Sequence, residues 1–396
     1  MSGGTAAVRT AGVLLVSWAV AGAPLGSRAA EIPGSGASES ARTESALVSK
    51  TQAAMTRGLD WLKASQKANG AWSNENYPAL TAFGLWVFAQ SDHPAKTDVC
   101  ARAAAFVKGF VQPDGGIYKP ALIGWIGGGL STYNTAICMT ALHACDPSKY
   151  APEILRAREF VAGSQLQGDS SGAGGFGYNR AAQGRAGRAD LSNTAWALMA
   201  MRATQGLEDL RRAGKKHADV DWKSAAAFAG KLQNQDSKDA ENYGGFGYEG
   251  GGGRGKTFVT REGTVALRGY GSMTYAGLES MIFAEVTRDD PRVVSACRWA
   301  ARHWSVDENP GMGSRGLFYY YTVMAKALSL MGSDVIPRSE GDPIPWKRQL
   351  LEKLVSLQRP DGSWSNADNT FWEGDPNLAT AYSLLAMQYA LRISAK

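Results

Sequence analysis

Four acidic residues fall in segments that lead into apolar helices, Asp190, Glu262, Glu373 and Asp375, with Arg188, Arg261 and Arg315 nearby. Two carboxylates roughly 5 to 10 Å apart can hydrolyse a glycoside, one as acid and the other as base or nucleophile. The same segments and the helices behind them carry aromatic rings: Trp125, Tyr133, Trp196, Tyr270, Tyr275, the run Tyr319-Tyr320-Tyr321, Trp372 and Tyr382. Such a lining could stabilise a cation through its π faces or stack on sugar rings. Three consecutive tyrosines cannot all face one way on a helix, so one or two of them at most reach a common cavity. Plainer roles compete with these. A carboxylate ahead of a helix caps it, and aromatics dominate cores.

Other motifs lose their chemistry in context. Gly250-Gly-Gly-Gly-Arg-Gly255-Lys256-Thr257 matches the phosphate-loop pattern letter for letter. That chemistry needs a strand before the loop and a helix N-terminus after it. The stretch instead follows Gly-Gly-Phe-Gly-Tyr248 and runs into a segment without helical pattern, so it reads as an insertion loop and no nucleotide is expected. His143-Ala-Cys145 is the one close His/Cys pair, and two residues so spaced on a helix point about 200° apart. No metal and no cofactor is expected. Cys138 and Cys145 lie on one helix, about 10 Å apart along its axis, too far to bridge. Cys100 and Cys297 fall on outer helices of different units, so the four cysteines read as small buried thiols. The formal net charge of +6 is dispersed. The cluster Arg211-Arg212…Lys215-Lys216 is mixed with Glu208, Asp209, Asp219 and Asp221, which reads as a solvated face and not a nucleic-acid site.

The elements that must position these residues repeat. Gln66-Lys-Ala-Asn-Gly-Ala-Trp72, Gln112-Pro-Asp-Gly-Gly-Ile-Tyr118 and Gln358-Arg-Pro-Asp-Gly-Ser-Trp364 share one pattern. Longer versions run from Gln165 to Tyr178 and from Gln233 to Tyr248, and a degenerate copy has Trp304 in place of the glutamine. An aromatic stands five residues before the anchor at Trp61, Phe160, Phe228 and Trp299, and each following apolar helix carries an early threonine: Thr81, Thr135, Thr194, Thr274, Thr322 and Thr380. A unit of about fifty residues with two helices is a helical repeat. Six such pairs can close a ring, which removes the need for polar capping repeats. The expected fold is all-α, a single α6/α6 toroid over residues 51–396.

Ahead of the repeats, Arg9 precedes an apolar stretch from Ala11 to Leu25, and Ser27-Arg-Ala29 offers small residues for cleavage. Residues 1–29 read as a signal peptide for export to the periplasm or outside, and residues 30–50 as a flexible linker. The apolar stretch is too short and too broken by Gly and Pro to span a membrane. Association with a membrane without spanning it stays open.

The Gln…Gly-x-Trp repeats resemble the QW motifs of squalene–hopene cyclases, and the Gly-Gly-Phe-Gly turns are similar to those of protein prenyltransferase β-subunits. The resemblance covers residues from about 51 to the end. It implies an α/α toroid whose inner helices line a cavity, with Gln66, Trp72, Gln358 and Trp364 purely structural. Triterpene cyclases carry Asp-x-Asp-Asp-Thr-Ala, whose middle acid protonates the substrate alkene. The counterpart here is Asp190-Leu-Ser192-Asn193-Thr194-Ala195, which keeps the first acid alone. A serine hydroxyl cannot supply that proton. The zinc set of the prenyltransferases lacks its histidine near Trp372, and Asp289-Asp290 lacks the third acid of a diphosphate site. Three readings follow. The chain is a cyclase-like protein holding a hydrophobic, isoprenoid-class ligand against Trp125, Tyr133, Asn193, Trp196, Tyr270, Tyr275, Tyr320, Trp372 and Tyr382, with a degenerate acid motif. It is an exported carbohydrate-active enzyme working through Glu262, Glu373 or Asp190 on a glycan. Or it is a non-catalytic envelope scaffold.

Overall fold

A computed structural model describes residues 36–121, 129–180, 188–211, 214–249, 257–259 and 265–392. Twelve α-helices stand among them: α1 Gly36–Ser65, α2 Pro78–Ala89, α3 Lys96–Lys108, α4 Ser131–Cys145, α5 Ala151–Ala162, α6 Leu191–Ala203, α7 Trp222–Lys231, α8 Gly271–Phe283, α9 Pro291–Arg302, α10 Leu317–Met331, α11 Trp346–Leu357 and α12 Pro376–Arg392. The even-numbered helices form a closed circuit, α2 on α4, α4 on α6, α6 on α8, α8 on α10, α10 on α12, and α12 back on α2. The odd-numbered helices make the outer layer, and α1 packs on α11 as well as on α12. This is the expected toroid of six helix pairs. No helix among the described residues is long and apolar enough to cross a membrane.

Sequence separates the layers. All twelve residues of α2 are buried, as an inner helix desolvated on every side requires. In α3 burial is confined to Val99, Cys100, Ala103, Ala104 and Val107, one stripe of an amphipathic outer helix.

The repeated residues are the joints. The amide of Gln66 donates to the Val99 carbonyl of α3 at 3.1 Å, that of Gln165 to Asp221 at the head of α7 at 2.9 Å, and that of Gln233 to Arg292 of α9 at 2.7 Å. Gln358 donates to Ala54 of α1 at 2.8 Å and so closes the ring. In the degenerate copy the Trp304 indole N–H donates to Gln349 of α11 at 2.6 Å, which keeps the joint with a different donor. Unit two runs the bond the other way, from Arg156 of α5 to the Gln112 carbonyl at 2.8 Å. The threonines fasten each turn to its inner helix. Thr81, Thr135, Thr194, Thr274 and Thr380 accept from the backbone N–H of Trp72, Ile117, Phe176, Phe246 and Trp364 at 2.8 to 3.1 Å. The turn glycine is required where the next outer helix touches it. Gly362 has φ +93, and a Cβ there would meet the Arg57 carbonyl of α1 at 2.8 Å. Both facts exclude an L side chain.

Four expectations change. Residues 36–50 belong to α1 and are not a flexible linker, because Ala, Ser, Glu and Lys there tolerate helix and continue into its packed part. The charged insertion is not simply solvated. Glu208, in a 3₁₀ turn spanning Gln205–Leu210, pairs with Arg211 and with fully buried Arg158, which also donates to the carbonyls of Met201 and Ala218. Two short antiparallel strands, β1 Thr257–Val259 and β2 Val265–Leu267, stand where an unpatterned insertion was expected. The phosphate-loop match ahead of Thr257 lies outside the described residues. Finally, Cys100 of α3 and Cys145 at the end of α4 share a thiol–thiol hydrogen bond that raises the first thiol and lowers the second.

Gln358→Ala should lower stability by about 1 to 3 kcal/mol, since the closing carbonyl loses its donor, read as a fall in the urea midpoint. An unchanged midpoint would show that the joint carries no energy. Incubation with oxidised glutathione should remove two of the four thiols by titration, and Cys100→Ser should abolish that loss. Retention of all four would show that the two sulfurs cannot reach bonding geometry.

Candidate ligand site at the ring axis

The first N–H groups of a helix have no intrahelical partner, and the ring supplies partners from neighbouring units. Asn134 accepts from Ala79 of α2 at 3.1 Å, Asn179 from Ser131 of α4 at 3.0 Å, and Asn309 from Ser272 of α8 at 2.9 Å. Glu373 does the same for α10, accepting from Phe318 N at 3.1 Å and Tyr319 N at 2.7 Å, with Asn366 Nδ2 at 2.8 Å. Asp190 caps its own helix, accepting from Asn193 N at 2.9 Å and Asn193 Nδ2 at 2.7 Å. Asp375 accepts from Asn377 N at 2.9 Å in the first turn of α12. Burial pushes Asp190 up to about 6 against hydrogen bonds from Asn193 and Tyr248. Burial also raises Glu373, against the donors that hold it. These acids are committed to helix ends, so a hydrolytic pair is not built from them. Glu262, Arg261 and Trp125 lie outside the described residues.

Inside the caps, the mouth of the ring has a floor of hydroxyls. Tyr133, Ser192 and Tyr319, in the first turns of α4, α6 and α10, keep partial exposure. Ser192 Oγ lies 2.8 Å from Tyr319 OH, and Tyr133 hydrogen-bonds Tyr382. Tyr270 sits beside Tyr248 and Tyr319. Below them, aromatic rings meet across the ring. Trp196 of α6 makes edge contacts with Phe83 and Trp86 of α2 and a tilted contact with Tyr319 of α10, while Tyr382 touches Phe83 and Tyr319. Helix α6 is not packed beside α2 or α10 in the circuit, so these contacts cross the interior. Aromatic side chains from four inner helices, α2, α6, α10 and α12, therefore meet across the axis.

Deeper still lies an ion pair. Lys326 Nζ of α10 stands 3.0 Å from Glu279 Oε2 of α8, 3.3 Å from Met199 Sδ of α6, and 4.1 Å from the Trp196 ring centroid. Glu279 is 0% and Lys326 2% exposed. Glu279 Oε1 and Trp196 Nε1 have no hydrogen-bond partner among the described residues. Burial pushes Glu279 up to about 7 and Lys326 down, each opposed by the other's charge.

Of the expected cavity residues, Tyr133, Trp196, Tyr270 and Tyr382 reach the axis or its mouth. Asn193 is spent on Asp190. Tyr320 turns away, its hydroxyl donating to the Ser305 carbonyl at 2.8 Å, because it sits 100° around the helix from Tyr319. Tyr275 makes a tilted ring contact with Tyr320 and lies near Cys297 of the outer helix α9. Trp372 is 44% exposed and packs on Tyr77 beside a cleft of about 300 Å³ lined by Asn74, Leu80, Asn369 and Asp375. Glu279, Lys326, Phe83 and Trp86 were missed, and of the run Tyr319-Tyr320-Tyr321 it is Tyr319 that reaches the axis. The available signal was a charged residue inside a helix apolar all round. No cluster of three or more metal-ligating side chains occurs among the described residues.

No family model matches the sequence. No curated protein matches it either. Solved structures do. A substituted form of the type II terpene cyclase MstE from Scytonema, bound to its product merosterolic acid A, superposes with a TM-score of 0.54 at 14% identity, over 88% of this chain and 99% of that one. Another, bound to the substrate geranylgeranyl dihydroxybenzoate, gives 0.53 at 12% over 88% and 99%. The apo enzyme gives 0.52 at 13% over 87% and 99%. The chain has the terpene-cyclase fold. Ser192, which the sequence resemblance sets against the middle acid of the cyclase motif, is hydrogen-bonded to Tyr319.

Asp190→Asn should fold within about 1 kcal/mol of the parent at neutral pH, because Asn193 can turn its unpartnered Oδ1 toward the new amide. The sign is fixed by the raised carboxyl. Its stabilisation is full below the unfolded value of about 3.9 and is lost as pH rises through about 6. Thermal melts from pH 4 to 7 should show that loss in the parent and a flatter profile in the variant. A large loss at every pH would assign Asp190 a different role.

Proposed function

We infer that this protein binds a hydrophobic, isoprenoid-class molecule through the mouth into the aromatic axis, and does not cyclise it. One observation carries the reading: the axis holds a buried ion pair, with a carboxylate oxygen and an indole N–H unpartnered among the described residues, inside an aromatic cluster. A buried pair costs several kcal/mol in desolvation, and well-packed apolar replacements are often neutral or stabilising by about 1 to 4 kcal/mol. Stability alone therefore does not account for it, whereas a ligand with a polar group would use those atoms. The neighbouring fold members bound to an isoprenoid substrate and its product support the ligand class.

Cyclisation needs a strong, neutral acid at the alkene. Ser192 has no such proton, Asp190 is a cap, and Glu279 at about 7 beside an amine is too weak. Residues 1–29, read as an export signal, would deliver the ring away from cytoplasmic diphosphates, so free isoprenoids are the candidate ligands. A glycan reading is disfavoured because Asp190 and Glu373 are spent on helix ends, and a scaffold reading is what remains if nothing binds.

Titration with farnesol, an isoprenoid alcohol, should quench tryptophan fluorescence saturably, and Trp196→Phe should remove most of the quench. Products analysed after incubation with geranylgeranyl substrates should show no ring closure. Absence of a saturable quench by farnesol, with the chain folded by circular dichroism, would overturn the binding reading. Detection of a cyclic product would overturn the non-catalytic part.

A further inference from the structure

Lys326 is placed for covalent chemistry. It lies nine residues into α10, Glu279 eight into α8 and Met199 eight into α6, so all three meet about 12 to 14 Å below the mouth at 1.5 Å rise per residue. The amine is enclosed by an indole face, a thioether and a carboxyl. Surface lysines are hydrated and charged. This one is desolvated, which favours the free amine that attacks carbonyls. Within the pair, moving one proton across 3.0 Å converts ammonium and carboxylate into amine and carboxylic acid. Burial of both groups favours that neutral form.

Resting on the binding reading above, we propose that the axis is a Schiff-base site for an isoprenoid aldehyde, with Lys326 as nucleophile and Glu279 as proton donor and counter-ion. The Lys326 nitrogen bonds to the aldehyde carbon as the C=O π pair moves to oxygen, giving a carbinolamine after proton transfer from nitrogen to oxygen. Glu279 then protonates the hydroxyl, which leaves as water while the nitrogen lone pair forms C=N. Amine, carboxylic acid and aldehyde become iminium, carboxylate and one water, with no oxidant or reductant. The iminium remains beside the Glu279 carboxylate and over the Trp196 face, which suits a cation. The prenyl tail extends toward Tyr319 and Tyr382 at the mouth. Tyr319 and Tyr389 are the other titratable groups close to Glu279.

The full chain is incubated with farnesal in mildly alkaline buffer, reduced with borohydride and analysed by intact mass and peptide mapping. One farnesyl group per chain is expected, on Lys326, and none after Lys326→Arg, which keeps the charge but cannot form the imine. Glu279→Gln should slow adduct formation at least tenfold while farnesol still quenches fluorescence. Quenching by farnesol without a Lys326 adduct would overturn the covalent site and leave the binding reading standing. An adduct spread over surface lysines would also overturn it. Neither quench nor adduct in folded protein would sink both. Mapping in the unsubstituted chain keeps the result decisive even if a variant folds poorly.

Discussion

A ring of helices holds together only if its last outer helix meets its first, and one glutamine amide makes that join. Gln358 reaches Ala54 across 304 positions of sequence, with Gly362 laid against Arg57. The same bond type joins units one, three and four to their outer neighbours, so closure reuses an interaction the chain makes anyway. Its consequence reaches inward. Once the circuit is shut, the middles of the inner helices are desolvated on every side, and a polar group there cannot turn to bulk water. Each must then be satisfied by the protein, stand at the mouth, or exist for something else.

That sorting explains why the conspicuous acids are not the chemistry. Asp190, Glu373 and Asp375 sit where helix heads expose backbone N–H groups, and each is consumed there. Asn134, Asn179 and Asn309 do the same work with amides. A carboxylate at such a position is interchangeable in principle with asparagine, because the backbone asks for an oxygen and not for a proton. Glu279 and Lys326 answer no backbone group. Their burial is costly, and hydrogen bonds within the described ring do not offset it fully.

The fold was legible because its joints are local and repeated. A glutamine, a glycine with positive φ and a threonine recur in the same order, at spacings that insertions stretch, and most units repeat the same bonds. The degenerate Trp304 fits once its indole is seen to donate to Gln349. The axis was far less legible. Glu279 and Lys326 are 47 positions apart on different helices, and nothing local says that their side chains meet. Tyr319 and Tyr320 differ by one residue and face opposite layers, which only helix phase decides. The cysteines show the same limit, since Cys100 and Cys145 belong to different helices of one unit and meet only when α3 packs on α4.

Depth along the ring also constrains the orientation of any occupant. Ser192 stands in the first turn of α6, at the mouth. Lys326 and Glu279 lie about two turns deeper, beneath Trp196 and Phe83. A molecule whose polar end pairs with the lysine must therefore enter that end first, leaving its apolar tail among Tyr319, Tyr382 and Phe83. Of the rings that meet across the axis, Tyr319 is the one both partly exposed and hydrogen-bonded to a small partner, Ser192. Ser192 is thus the residue that latches an aromatic over the axis.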